Sequence, residues 1–121
     1  MVEFNQMWTK NAAALIVAIS KNTFEHNGKP SRTHSFDTGS AWENLALEAT
    51  RRGFVAHGME GFDYDSAKKE LGIPDGYTIE AMVAVGKRGR IEELSEDMQK
   101  NEKPSGRKPL KEIVMEGKFR R

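Results

Sequence analysis

The segment from Ser40 to Arg52 most constrains what this chain can fold into, because it is the clearest helix in the sequence. Ala41, Trp42, Leu45, Ala46 and Ala49 recur at three- and four-residue spacing and define one apolar face. Asp37 or Ser40 is placed to cap the helix, and Ser40-Ala41-Trp42-Glu43 fits the capping-box pattern. Arg51 and Arg52 suit the negative end of the helix dipole, and Gly53 is the expected stop. A face lined mostly by alanine permits close approach. It predicts a helix buried against another helix, a dimer partner included.

The flanking segments supply few strands. Ala12 to Ile19 is apolar, β-branched toward its end and not amphipathic, which reads as a strand buried on both faces. Asn22 to Ser35 is a polar loop with turn chemistry at Asn27-Gly28 and Lys29-Pro30. Phe54 to His57 is a short extended piece, and Gly58-Met59-Glu60-Gly61 reads as a tight turn. Asp63 then caps a short helix, Tyr64 to Leu71, which Gly72 and Pro74 end. After a turn at Pro74-Asp75-Gly76-Tyr77, Thr78 to Val85 reads as a strand stopped by Gly86. Residues 87–121 are charged and punctuated by Pro and Gly, with a short helix at Ile91–Met98 and an otherwise extended course.

The expected architecture is therefore α+β, a single domain with a core at 1–86 and an extended basic arm at 87–121. A small mixed or antiparallel sheet packs on one long helix. Two or three strands with one long helix cover their own faces poorly, so either the chain dimerises or it is part of a larger fold.

Composition narrows the chemistry. At 121 residues the chain has room for one domain. It has no cysteine, which excludes disulfides, Cys-ligated zinc, iron–sulfur clusters and thiol catalysis. The longest apolar run falls far short of the roughly 18–20 residues that cross a bilayer, and no cationic leader precedes it, so a cytoplasmic protein without membrane contact is expected. Residues 1–86 carry a net charge of −3 and residues 87–121 a net charge of +4. The basic arm is interleaved with Glu92, Glu93, Glu96, Asp97 and Glu102, which argues against a continuous phosphate-tracking stripe and hence against nucleic acid. His26 and His34 with Asp37 match no metal-ligand spacing, so no metal site is expected. Gly-x-Ser-x-Gly is absent, and Asp63 and Asp65 sit where helix capping explains them, so no catalytic side chain is assigned.

Two places can carry a ligand. Around Gly58-Met59-Glu60-Gly61, two glycines let the backbone approach a flat molecule and offer it free N–H groups; an ordinary strand-to-helix connection reads equally well. At Ser105-Gly106-Arg107, a guanidinium beside a flexible glycine suits a phosphate, and a solvated tail is the alternative.

The chain resembles the C-terminal part of the FMN-dependent nitroreductase family. The resemblance rests on stretches that occur in family order. Trp8-Thr9-Lys10-Asn11-Ala12 leads into the Leu15-Ile16-Val17 strand. Phe36-Asp37-Thr38-Gly39-Ser40-Ala41-Trp42-Glu43-Asn44-Leu45 is similar to the central helix, and 53–63 resembles the flavin-facing turn. Leu71-Gly72-Ile73-Pro74, Ala84-Val85-Gly86 and Arg107-Lys108-Pro109-Leu110 with Glu112-Ile113-Val114 follow.

The resemblance implies a homodimer built on helix 40–52, with FMN at the subunit interface. It also implies hydride transfer from NAD(P)H through the flavin to a quinone or nitroaromatic-type acceptor. By motif match, Glu60 and Gly61 would face the reactive edge of the ring, Gly58 and Met59 would pack against it, and Arg107 with Ser105 would hold the phosphate. The family's Arg-rich N-terminal segment, which grips the FMN phosphate and ribityl chain, has no counterpart in this sequence. Arg51-Arg52, at the end of the central helix, do not replace it. The alternative to an oxidoreductase is thus a non-catalytic truncated remnant or half-chain that dimerises, or that needs a separate N-terminal segment to bind FMN.

Overall fold

The computed structural model describes Met1 and residues 3–119. The chain divides into two compact units, Met1–Gly89 and Arg90–Arg121. The first holds α1 (Glu3–Thr9), β1 (Ala14–Lys21), α2 (His34–Arg51), β2 (Val55–Met59), α3 (Tyr64–Glu70) and β3 (Tyr77–Gly86). The second holds a 3-10 turn (Ile91–Glu93) and two short helices, α4 (Glu96–Asn101) and α5 (Leu110–Ile113).

The sheet is antiparallel throughout, in the order β1-β3-β2. As the central strand, β3 carries the most buried apolar residues, Val83 and Ala84. β1 pairs with it from Ala14 opposite Val85 to Lys21 opposite Tyr77. The register shifts once: Ala18 faces Ala81 and Ile19 faces Ile79, leaving Glu80 as an extra residue on β3. Such a bulge bends the strand and re-aims its side chains.

α2 lies against all three strands, with Ala49 buried and Trp42, Leu45 and Ala46 half-buried. The alanine-lined face thus meets the sheet of its own chain. Close approach is real: a Cβ built on Gly58 would stand 3.3 Å from Trp42 Cζ2. The outward face of α2 carries Phe36 and Leu47, which are 76% and 59% exposed.

α2 begins at His34, six residues before the expected start, and the capping box at Ser40 does not form. Ser40 Oγ instead donates to the Phe36 carbonyl at 3.1 Å, inside the helix. Thr33 occupies the N-cap position without a side-chain bond to the backbone. The first turn is held from outside: the Ser35 hydroxyl donates to Glu80 Oε1 at 2.8 Å. α1 was not expected; its Thr9 hydroxyl donates to the Asn5 carbonyl at 2.6 Å one turn back. The short helix and its cap follow the sequence reading, with Asp63 Oδ1 accepting from Ser66 N at 2.9 Å. Gly53 and Gly72 take positive φ of 75° and 62°, as helix stops do.

Candidate cofactor site

β2 runs through the region read from sequence as a turn. Gly58 pairs with Val83 and Met59 with Met82, so both residues belong to the strand and the turn shrinks to Glu60-Gly61. Met59 is buried, and Gly58 directs its missing Cβ at the Trp42 indole. The glycine at 58 is therefore explained by helix–sheet packing. On the strand's exposed residue His57, the ring meets Trp8 edge-on at 4.9 Å.

Beyond Met59 the chain makes a three-residue turn. Phe62 N donates to the Glu60 carbonyl at 2.7 Å, and Asn5 Nδ2 donates to the Gly61 carbonyl at 3.2 Å. Phe62 is buried and stacks on Tyr64, with ring centroids 4.2 Å apart. The Asp63 carboxyl is held below the ordinary carboxylate value, chiefly by the hydrogen bond from the Ser66 N–H. Both carbonyls of the Glu60-Gly61 pair are thus occupied. Among the described residues, the N–H groups of Glu60 and Gly61 meet no acceptor. Two adjacent amides without a protein acceptor, directly after the buried Met59, are available to an external acceptor.

Ser105 and Arg107 belong to the second unit and are exposed. Arg107 Nη1 donates to the Ser105 carbonyl at 3.2 Å and to the Ser105 hydroxyl oxygen, closing a small loop. Among the described residues, no carboxylate pairs with the Arg107 guanidinium. Its remaining donors suit a phosphate. The donor sets of both places fit the group expected at each: amide N–H groups for a heteroaromatic edge, a guanidinium and hydroxyl for a phosphate.

A second polar cluster has no local signature in the sequence. Ser20, 4% exposed, donates from Oγ to Glu80 Oε1 at 2.5 Å and stands 2.8 Å from His34 Nδ1. The single hydroxyl proton goes to Glu80, so His34 Nδ1 carries the proton shared with Ser20 Oγ. Burial pushes the Glu80 carboxyl up, but hydrogen bonds from Ser20 and Ser35 and the His34 charge outweigh it, leaving the group below its ordinary value. A hydrolytic triad would need the carboxylate to orient the far side of the imidazole. Here it accepts from the serine itself and anchors the start of α2. A cavity of about 330 Å³ opens beside the cluster, and neither Glu60 nor Gly61 lines it. Among the described residues, no three His, Asp or Glu side chains cluster as metal ligands, and no helix is long and apolar enough to cross a membrane.

An antiparallel sheet backed by an alanine-faced helix, with a donor-rich turn at a strand end, has known relatives. The nitroreductase family matches residues 1–87, and the chain belongs to that family. A solved structure of an oxidoreductase containing FMN superposes on 99% of this chain with a TM-score of 0.92 and 45% identity. A nitroreductase family protein from Clostridium difficile 630 superposes on 90% of it, with a TM-score of 0.62 and 25% identity. In both cases this chain spans 62% of the other's length. An uncharacterized 15.4 kDa protein of Mycolicibacterium smegmatis, from the ask 5′ region, is 29% identical over 110 residues, which are 90% of this chain and 74% of the relative.

Proposed function

We propose that this chain is an FMN-dependent oxidoreductase that takes a hydride from NAD(P)H and passes it to a quinone or nitroaromatic-type acceptor. The observation that carries the reading is the pair of unoccupied amides at Glu60 and Gly61, on a fold shared with an FMN-containing oxidoreductase at 45% identity. FMN supplies the redox chemistry, as a ring that carries two electrons and a proton between the two substrates.

The protein's part is to bind and tune. The Glu60 and Gly61 N–H groups donate to the acceptor edge of the ring and favour negative charge there, as oriented backbone dipoles do. Gly58 and Met59 form the end of β2 that holds this turn against the sheet. Arg107 pairs with the FMN phosphate, and the Ser105 hydroxyl adds a donor. Assembly is as a homodimer whose contact includes the outward face of α2, where Phe36 and Leu47 are exposed.

The test is reconstitution. The purified chain, mixed with excess FMN and gel-filtered, should elute with flavin absorbance, and the bound flavin should bleach anaerobically with NADH or NADPH and recover on addition of a quinone. A colourless protein peak at saturating FMN overturns the reading.

A further inference from the structure

We infer that Asn5 is a positioning residue for the Gly61 amide, so that α1 takes part in building the cofactor site. This rests on the FMN reading above.

The argument starts from the backbone. Glycine has the widest choice of φ and ψ of any residue, so a donor on a glycine is well aimed only if its neighbours fix it. The peptide that follows Gly61 is held at both ends. Its N–H, on Phe62, reaches the Glu60 carbonyl at 2.7 Å, and its carbonyl receives Asn5 Nδ2 at 3.2 Å. The first bond is local and closes the turn. The second comes from a side chain 56 residues away in sequence and ties the turn to another element.

With the Glu60 carbonyl used inside the turn, the Gly61 N–H points out of it and is left for a ligand. Asn5 is suited to its task. It is half-buried, its turn of α1 is closed by the Thr9 hydroxyl on its own carbonyl at 2.6 Å, and its amide must present nitrogen to a carbonyl partner. Phe62 seats the other side by stacking on Tyr64.

The test compares wild type with Asn5→Ala, Asn5→Asp and, as a control on the same helix, Gln6→Ala, whose side chain among the described residues donates to the Met1 carbonyl and not to the turn. FMN titrations by fluorescence are run across pH, and amide exchange at Gly61 and Phe62 is read by NMR on the flavin-free chains. Asn5→Ala should raise the FMN dissociation constant about fivefold, as loss of one hydrogen bond implies, and speed exchange at Phe62. Gln6→Ala should change neither.

Asn5→Asp provides the readout that a merely structural role would not move. A protonated carboxyl can still donate to the Gly61 carbonyl, whereas an ionised one repels it. The ratio of its dissociation constant to that of wild type should therefore be near one in acid and climb as pH rises through the carboxyl's titration. Should Asn5→Ala fail to fold, the nearly isosteric Asn5→Asp carries the test. A flat ratio across pH overturns the inference. So does an Asn5→Ala chain that binds FMN as tightly as a flavin-binding wild type. A wild-type chain that binds no FMN overturns the function reading and this inference with it.

Discussion

Replacing Gly58 by alanine separates two reasons for a glycine at the end of β2. If it serves the sheet, the added methyl meets the Trp42 indole, 3.3 Å from Cζ2 and 3.6 Å from Cε2. That is a few tenths of an ångström too close, so the indole must shift within a helix–sheet contact. Overpacking of this kind costs about 1–3 kcal/mol, and so slight a clash belongs at the low end. Against it stands the entropy that alanine removes from the unfolded chain, about 0.4–1 kcal/mol in alanine's favour. Gly58 has no positive φ that would add strain. The net expectation is a loss of roughly 0–0.6 kcal/mol.

The sign should reverse with Trp42→Phe, which deletes the three indole atoms nearest the new methyl. In that background Gly58→Ala should stabilise by about the entropy term alone, giving a coupling of about 1 kcal/mol in a double-mutant cycle. Urea unfolding followed by circular dichroism reads all four chains. An equal effect of Gly58→Ala in both backgrounds would refute the packing argument. Unchanged stability with lost FMN binding would return the glycine to the ligand.

Three further outcomes are expected. Glu80→Gln should cost about 1 kcal/mol at neutral pH, since Ser20 and Ser35 lose a charged acceptor. Because the folded carboxyl titrates below its ordinary value, its stabilisation is complete above the unfolded value and disappears as pH falls through the folded one. The wild-type advantage in urea midpoint should therefore shrink in acid, and a gap constant across that range would count against the cluster. Arg107→Ala should weaken FMN binding about tenfold or more and leave riboflavin binding unchanged, because only the former carries a phosphate; equal losses for both ligands would remove the phosphate assignment. Leu47→Glu should convert the proposed dimer to monomer in sedimentation velocity, and a wild-type chain that already sediments as monomer defeats the dimer.

The parts of the fold that the sequence reveals are those stabilised locally. Asp63 caps α3 through an N–H three residues away, and Gly53 and Gly72 stop helices through their own backbone. Thr78 to Val85 declares itself by β-rich composition and lies within β3. What escapes is held at a distance. The first turn of α2 depends on a carboxylate 45 residues from Ser35, so the local capping pattern at Ser40 outcompetes it on paper and loses in the structure. α1 is seven residues long and reaches the turn through Asn5, a contact no local pattern encodes. At the candidate site, the two glycines are visible but their division of labour is not: one makes room for Trp42 and the other lies in the turn.

The bulge at Glu80 connects these distant features. β2 pairs with β3 only as far as Met82, while β3 itself continues to Tyr77 with β1 alone as partner. A bulge twists the strand that bears it and ends pairing on its edge. Glu80, the extra residue, comes two positions past the last β2 pair, where the chain departs at Glu60. The same irregularity swings the Glu80 carboxylate toward Ser35 at the start of α2. One inserted residue in the central strand thus supplies the carboxylate that fastens the start of the long helix. A sheet of three strands carries little spare stability, so a deviation of this kind persists where its contacts repay the lost pairing, and the Ser20 and Ser35 hydrogen bonds to Glu80 are those contacts.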